Sequence, residues 1–341
     1  MKVIDSVYIN DGGGYIMLQY FISQAKAQGL RFFYLIDIRL KSKMEYLGLQ
    51  TQDYLILKNS EISRSRFYLR NQRKISSVLT FGNVPPPIRL KCSVFTIFHN
   101  ILIINNKNLP FKGQMMYFLK NSYIRLLSKN TDYWIIQSKE TQNELLNKNW
   151  ANPEKFIIAP FWKTSQINYE TPQKRQDLSF ICPCSSVEHK NIKRLIMAWE
   201  SAFRKNQNIK LYITLTSSWF TGNRILFEKM NVYPLGPLEN AELIKWYQKC
   251  EFVIFPSYCE SFGLPLIEGI ENGCKIIASD LPFTHSIIEP FMVFNPYVTE
   301  SIEEAILLVI TKNQHNNFGK NIIRIENKIS QILSMIYNGK V

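Results

Sequence analysis

Glu260 and Glu268 flank a short turn in Phe-Pro-Ser-Tyr-Cys-Glu-Ser-Phe-Gly-Leu-Pro-Leu-Ile-Glu-Gly-Ile-Glu-Asn-Gly, residues 255–273. Phe252 to Phe255 is the apolar, β-rich run that a buried parallel strand needs, and Pro256 ends it. Gly263 suits a backbone conformation closed to other residues, and Pro265 suits the first turn of a helix running on through Glu268. The amides of Gly263, Leu264 and Leu266 then lie at a helix N-terminus, where a phosphate or a sugar hydroxyl is held. On one continuous helix carboxylates at this spacing would diverge, whereas the bend lets both face one pocket. Residue types alone equally allow a solvated Glu260 and a Glu268 that only balances the helix dipole.

Other chemistry-bearing positions follow strand-like runs. Asp11-Gly12-Gly13-Gly14 comes after Val3 to Ile9 and permits close backbone approach to a ligand, without the GxGxxG of dinucleotide sites. A tight strand-to-helix turn would read the same. His99 ends the run from Val94 to Phe98, where it either reaches a substrate or is satisfied structurally. His189-Lys190-Asn191 follows Leu178 to Ile181 and opens a helix, so Lys190 is placed to neutralise phosphate, although exposed lysines there are ordinary. Cys182 and Cys184 stand one residue apart, but no matching His or Cys pair completes a metal site and no Asp-x-Asp occurs, so no metal is expected.

The elements that must position these residues alternate through both halves. Strands are expected at Val3 to Ile9, Arg31 to Ile36, Tyr54 to Leu57, Ser77 to Phe81, Ser93 to Phe98, Tyr133 to Ile136 and Lys155 to Ile158. Helices are expected near Met17 to Gln28, Glu61 to Ile75, Gln114 to Ser128 and Lys139 to Asn147. After a polar linker, about Lys163 to Gln176, strands recur at Leu178 to Ile181, Lys210 to Leu215, Val232 to Leu235, Phe252 to Phe255 and Lys275 to Ala278. Helices fall near Asn191 to Arg204, Asn240 to Gln248 and Leu264 to Asn272. A chain of 341 residues exceeds what one core organises, so the expectation is an α/β protein of two parallel-sheet domains with a cleft between them. The domains are 1–165 and 166–314. Residues 315–341, from His315 through Ile322, Ile323, Ile325, Ile329, Ile332 and Leu333, read as a terminal helix.

The formal net charge of +14 is unevenly spread: residues 1–170 hold 23 Lys and Arg against 11 Asp and Glu (+12), and residues 171–341 hold 18 against 16 (+2). The cations concentrate in two helix-like runs. One is Arg64, Arg66, Arg70, Arg73 and Lys74; the other is Lys112, Lys120, Arg125 and Lys129, interleaved with Met115, Met116, Tyr117, Phe118 and Leu119. Such runs suit an anionic membrane surface or a nucleic acid backbone, or are simply solvated. No recognisable nucleic-acid-binding motif accompanies them, which disfavours nucleic acid. Cys92 to Ile104 is interrupted by His99 and Asn100 and is too short to span a bilayer, and Met1-Lys2-Val3-Ile4-Asp5 has no signal-peptide pattern. Six cysteines without a CxxC pair read as reduced thiols of an intracellular protein.

The stretch Val232 to Pro296 resembles the donor-binding half of glycosyltransferase family four, retaining enzymes of the GT-B fold that use nucleotide sugars. The resemblance rests on Leu235-Gly236, Phe255-Pro256-Ser257, Glu260-Ser261-Phe262-Gly263-Leu264-Pro265 with Glu268, Gly273 and Ala278-Ser279-Asp280, and it covers about residues 178–310. Lys190-Asn191 looks like the family's "KN" helix start. By that likeness Glu260 would hydrogen-bond the donor sugar, the backbone of Phe262, Gly263 and Leu264 would approach sugar and diphosphate, and Glu268 would bind the ribose hydroxyls. Lys190 would stabilise the leaving diphosphate, Gly13 and Gly14 would line the phosphates, and His99 would contact the transferred sugar. Where the family commonly carries an arginine, six residues before the lysine, this chain has Cys184. The implied function is retaining, metal-independent transfer of a hexosyl-type sugar to a lipid-linked or polysaccharide acceptor in bacterial surface polysaccharide synthesis. It would occur in the cytoplasm at the inner membrane face, with no cofactor beyond the nucleotide sugar. A nucleotide-sugar epimerase of the same architecture, or a non-enzymatic basic protein that binds nucleic acid or membrane, is the alternative.

Overall fold

Short runs of Val, Ile, Leu, Phe and Tyr, buried on both faces, favour parallel pairing covered by helices. The computed structural model describes residues 1–106, 109–165, 175–220, 224–311 and 318–341. It forms two units, Met1–Lys163 with Glu326–Val341, and Thr164–Ile325.

In the first unit the strands are β1 (Lys2–Ser6), β2 (Phe33–Asp37), β3 (Tyr54–Leu57), β4 (Ser77–Thr80), β5 (Ser93–Phe98), β6 (Tyr133–Ile136) and β7 (Phe156–Ile158). They make one parallel sheet in the order β3-β2-β1-β4-β5-β6-β7. The helix Gly12–Ala27 buries Leu18, Phe21 and Ile22 in a core with Phe81, Phe95 and Ile97, which Ile332, Leu333 and Ile336 of the helix Ile329–Asn338 complete. A second core joins Val3, Leu35, Val78 and Val94 to Phe67 and Tyr68 of the helix Glu61–Asn71.

Two expectations change here. Arg64 does not belong to a basic surface: it is buried, with Nε 2.9 Å from Asp5 Oδ2 and NH1 2.9 Å from Glu61 Oε1. The terminal helix starts only at Ile329, where Asn327 Oδ1 accepts the Ile329 N–H at 3.3 Å. Ile322 and Ile323 form a strand instead, Ile325 precedes the helix, and His315 lies outside the described residues.

The second unit contains β8 (Gln176–Cys182), β9 (Lys210–Ile213), β10 (Val232–Pro234), β11 (Cys250–Phe255), β12 (Lys275–Ser279), β13 (Ile288–Glu289), β14 (Met292–Phe294) and β15 (Ile322–Ile323). Six of them form a parallel sheet in the order β10-β9-β8-β11-β12-β14, and β13 pairs antiparallel with β15. The helices Ile192–Lys205 and Thr299–Ile310 bury Leu195, Trp199, Ile302 and Ile306 against this sheet. Thr299–Ile310 was not expected, although Ile302, Ile306 and Val309 recur at helical spacing.

Both sheets reverse their winding once, at β1/β4 and at β8/β11, and ligands of such sheets gather outside the carboxyl ends of strands at that switch. The glycines follow β1, Lys190 follows β8, and Glu260 follows β11.

Candidate active site

Because β8 and β11 are neighbours, the segments leaving their carboxyl ends meet. Tyr258 N–H donates to the His189 carbonyl at 2.8 Å, and Asn191 Nδ2 donates to the carbonyls of Pro256 at 3.1 Å and Pro296 at 2.8 Å. This lacing sets Lys190 Nζ 2.6 Å from Glu260 Oε1, with side chains 16% and 13% exposed. Glu260 is therefore not a solvated carboxylate. Lys190 ends a single tight turn, Glu188–Lys190, and the helix begins only at Ile192, after Asn191 in the left-handed region at φ 57°. The lysine thus precedes the helix rather than opening it. Beside the pair, Ser257 Oγ and His189 Nδ1 are buried with no partner among the described residues, as polar groups awaiting a ligand would be.

Gly263 takes φ 68° immediately before the helix Leu264–Glu271, a conformation that strains any side chain, and Pro265 occupies its first turn. Phe262 is buried, which leaves its backbone rather than its ring for a ligand. Glu268 is also buried, accepting from the Tyr247 hydroxyl at 3.0 Å and from Asn240 Nδ2 at 3.5 Å. Burial first, and then the Glu268 carboxylate, hold the Tyr247 phenol well above its usual range. A carboxylate sequestered like this does more than balance a helix dipole.

In the first unit, Gly12 at φ 58° starts the helix, so Gly13 and Gly14 form its first turn and not a separate loop. A Cβ on Gly13 would meet nothing within 4 Å; one on Gly14 would lie 3.1 Å from Ile9 Cδ1 and 3.9 Å from His99 Nε2. Gly14 and His99 are thus neighbours. Asn83, at φ 68°, accepts the N–H groups of His99 at 2.7 Å and Asn100 at 3.1 Å through Oδ1, while its Nδ2 lies 3.3 Å from His99 Nε2. Since Nδ2 can only donate, this network assigns the ring proton to Nδ1, which is buried without a partner among the described residues. Burial lowers the His99 pKa to about 4 and keeps the imidazole neutral.

Residues 170–324 match the family model of the "Glycosyl transferases group 1". That segment carries the domain of this group. The chain is 21% identical over 245 residues to the O-antigen chain mannosyltransferase RfbU of Salmonella typhimurium, covering 67% of this chain and 66% of that protein. It is 22% identical over 250 residues to the serotype-specific mannosyltransferase WbdA of Escherichia coli, covering 64% of this chain and 30% of the relative. The chain therefore spans just under two thirds of the first relative and less than a third of the second. The crystal structure of Anabaena Alr3699/HepE in complex with UDP and glucose superposes with a TM-score of 0.67 at 12% identity, covering 100% of this chain and 95% of that one. Two Rossmann-like parallel sheets with this likeness give the GT-B fold.

Within this group 1 domain, Cys184 opens on a cavity of about 320 Å³ at the carboxyl ends of β8, β9 and β10, lined also by Ser185, Ser186, Thr214, Thr216, Pro237 and Leu238. No charged side chain lines it among the described residues, so none there replaces the family's arginine. Thr214 Oγ1 pins the Cys184 backbone, accepting its N–H and donating to its carbonyl, each at 2.8 Å. Sequence reasoning missed Asn83, Asn240 and Tyr247. Tyr247 alone left a signal, as a tyrosine among the apolar positions of a helix.

Proposed function

We propose that this glycosyltransferase moves a hexosyl-type sugar, with retention of configuration and without a metal, from a nucleotide sugar to a lipid-linked or polysaccharide acceptor. The reading carries bacterial surface polysaccharide synthesis with it, at the inner face of the membrane. The supporting observation is the Lys190–Glu260 pair on the switch-point edge of the matched domain, with Glu268 buried in the helix that follows β11. As the nucleoside diphosphate departs, negative charge grows on its β-phosphate. Lys190 and the amides preceding the helix Leu264–Glu271 would stabilise that charge, as a divalent ion does elsewhere. Glu260, released from Lys190, would hold the sugar, and Glu268 would hold the ribose. The neutral His99, with its Nδ1 proton, is suited to donate to a sugar hydroxyl, and Gly13 and Gly14 to admit phosphate. The names of the Salmonella and Escherichia coli relatives support the polysaccharide context, and the UDP and glucose in the Anabaena structure support the donor class.

A thermal-shift screen of UDP-, GDP-, ADP- and dTDP-sugars tests the reading, followed by nucleotide release with and without acceptor, in chelator and in added magnesium. One donor family should stabilise the chain, and release should require acceptor but not metal. Silence across all donors in a folded sample would reject transfer, and turnover of the sugar without nucleotide release would point to an epimerase.

A further inference from the structure

The helix Phe111–Leu127 turns an apolar face outward. It packs on its own unit through a narrow stripe, with Ile124 and Leu127 buried and Asn121 Nδ2 donating to the Ile103 carbonyl at 2.8 Å. At about 100° per residue, the side opposite that stripe centres on Met115, Leu119 and Leu126, with Phe111 and Phe118 beside them. These residues are 48%, 61%, 65%, 78% and 62% exposed, where an ordinary surface helix would place polar groups. Lys112, Lys120 and Arg125 are also exposed on the helix, which contains no acidic residue.

The helix Glu61–Asn71 lies close enough that, after burial, the Glu61 carboxylate raises the pKa of the Tyr123 phenol, and it repeats the pattern. Ile62 is 73% and Leu69 58% exposed, beside Arg66 and Arg70. Glu61, the single acid of the two helices, is already engaged by Arg64 and by Tyr8.

We propose that these two helices form a docking surface for an anionic lipid bilayer. Long apolar side chains reach the boundary between headgroups and acyl chains, while lysine and arginine among them meet anionic headgroups. Charge complementarity selects this occupant: the exposed ionic groups here are cations, and they lie in the half of the chain that carries +12. The inference deepens the acceptor reading by naming the surface that brings a lipid-linked acceptor within reach. Its test does not depend on transfer.

Co-sedimentation of the full chain with phosphatidylcholine vesicles, with and without about one third phosphatidylglycerol, measures it. Binding is expected to the anionic vesicles and to fall with salt. Phe118→Glu with Leu119→Glu should weaken it about tenfold or more, and Arg66→Glu with Arg70→Glu roughly fivefold per charge removed. All four positions are exposed, so each variant should melt with the wild type. Wild-type binding that ignores lipid charge, or double variants that bind as the wild type does, would overturn the proposal. So would a self-associating wild type that the substitutions render monomeric, because a second copy would then be the occupant. Vesicle binding that persists while no nucleotide sugar shifts the melting temperature would instead retain the docking surface and reject the donor reading.

Discussion

Lys190 Nζ and Glu260 Oε1 form a 2.6 Å ion pair whose two ends follow different, adjacent strands, β8 and β11. The pair holds a cation at the switch point, and on the proposed reading a phosphate competing for Lys190 would free Glu260 for the sugar. The two residues should therefore act as a unit. Lys190→Ala and Glu260→Ala are each expected to lower kcat by roughly 100-fold or more. The double variant should be little worse than the more damaged single one, because residues acting together lose their effect together. Steady-state kinetics of nucleotide release give the cycle, and multiplicative losses would show that the pair has no joint role.

Glu268 should separate from Glu260 by what it touches. Glu268→Ala leaves the buried Tyr247 hydroxyl without its 3.0 Å acceptor, a loss of about 1–3 kcal/mol of stability. It should also weaken nucleotide binding, measured by calorimetry with the nucleoside diphosphate that stabilises the wild type. Glu260→Ala should spare that affinity while removing turnover. Equal loss of affinity in both variants would contradict the division of roles.

Twelve strands were legible because each is a short run of β-branched and aromatic residues bounded by turn residues, as at Tyr54–Leu57 and Tyr133–Ile136. Missed were β14, Met292–Phe294, although β7 and β10 are as short, and the two-residue strands β13 and β15, which are too short for periodicity to mark. The turn from β11 into the helix Leu264–Glu271 was legible because Pro256, Gly263 and Pro265 fix a backbone path by residue type. The pairing of Lys190 with Glu260 was not, since 70 residues separate them and only the sheet order brings them together. The same holds for Asn83, whose contact with His99 depends on β4 and β5 being neighbours.

His99 gives a pH test of its environment. An ordinary histidine titrates near about 6.5, whereas burial lowers His99 to about 4. Between these values the unfolded chain binds more protons than the folded one, so the contribution of neutral His99 is full above about pH 6.5 and is lost as pH falls toward 4. For this one proton the slope is at most about 1.4 kcal/mol per pH unit. The stability advantage of the wild type over His99→Gln should shrink as urea melts are moved from neutral to acidic pH. A constant gap would mean that the imidazole is not held neutral.

Gly13 tests ligand approach apart from folding. Its φ is not in the left-handed region and a Cβ there meets nothing within 4 Å, so Gly13→Ala should keep the wild-type melting temperature or raise it slightly by helix propensity. If phosphate approaches that backbone, KM for the donor should rise at least several-fold. An unchanged KM would remove Gly13 from the donor contacts.

Cys184 decides whether the missing arginine weakened the site or suited it to a different donor. The cavity it lines holds about 320 Å³ and presents hydroxyls from Ser185, Ser186 and Thr216 without a described charge, so a longer side chain at position 184 has room to extend. Cys184→Arg should add a charge-assisted contact to a diphosphate, strengthening nucleoside diphosphate binding about tenfold, the usual worth of a hydrogen bond to a charged group. Should the diphosphate instead bind no better while kcat falls, the neutral cavity belongs to the donor that this enzyme uses, and the added guanidinium blocks it. Titration calorimetry with the diphosphate, paired with kcat on the stabilising donor, separates the two: a weakened site gains affinity from the arginine, and a respecialised one loses turnover to it.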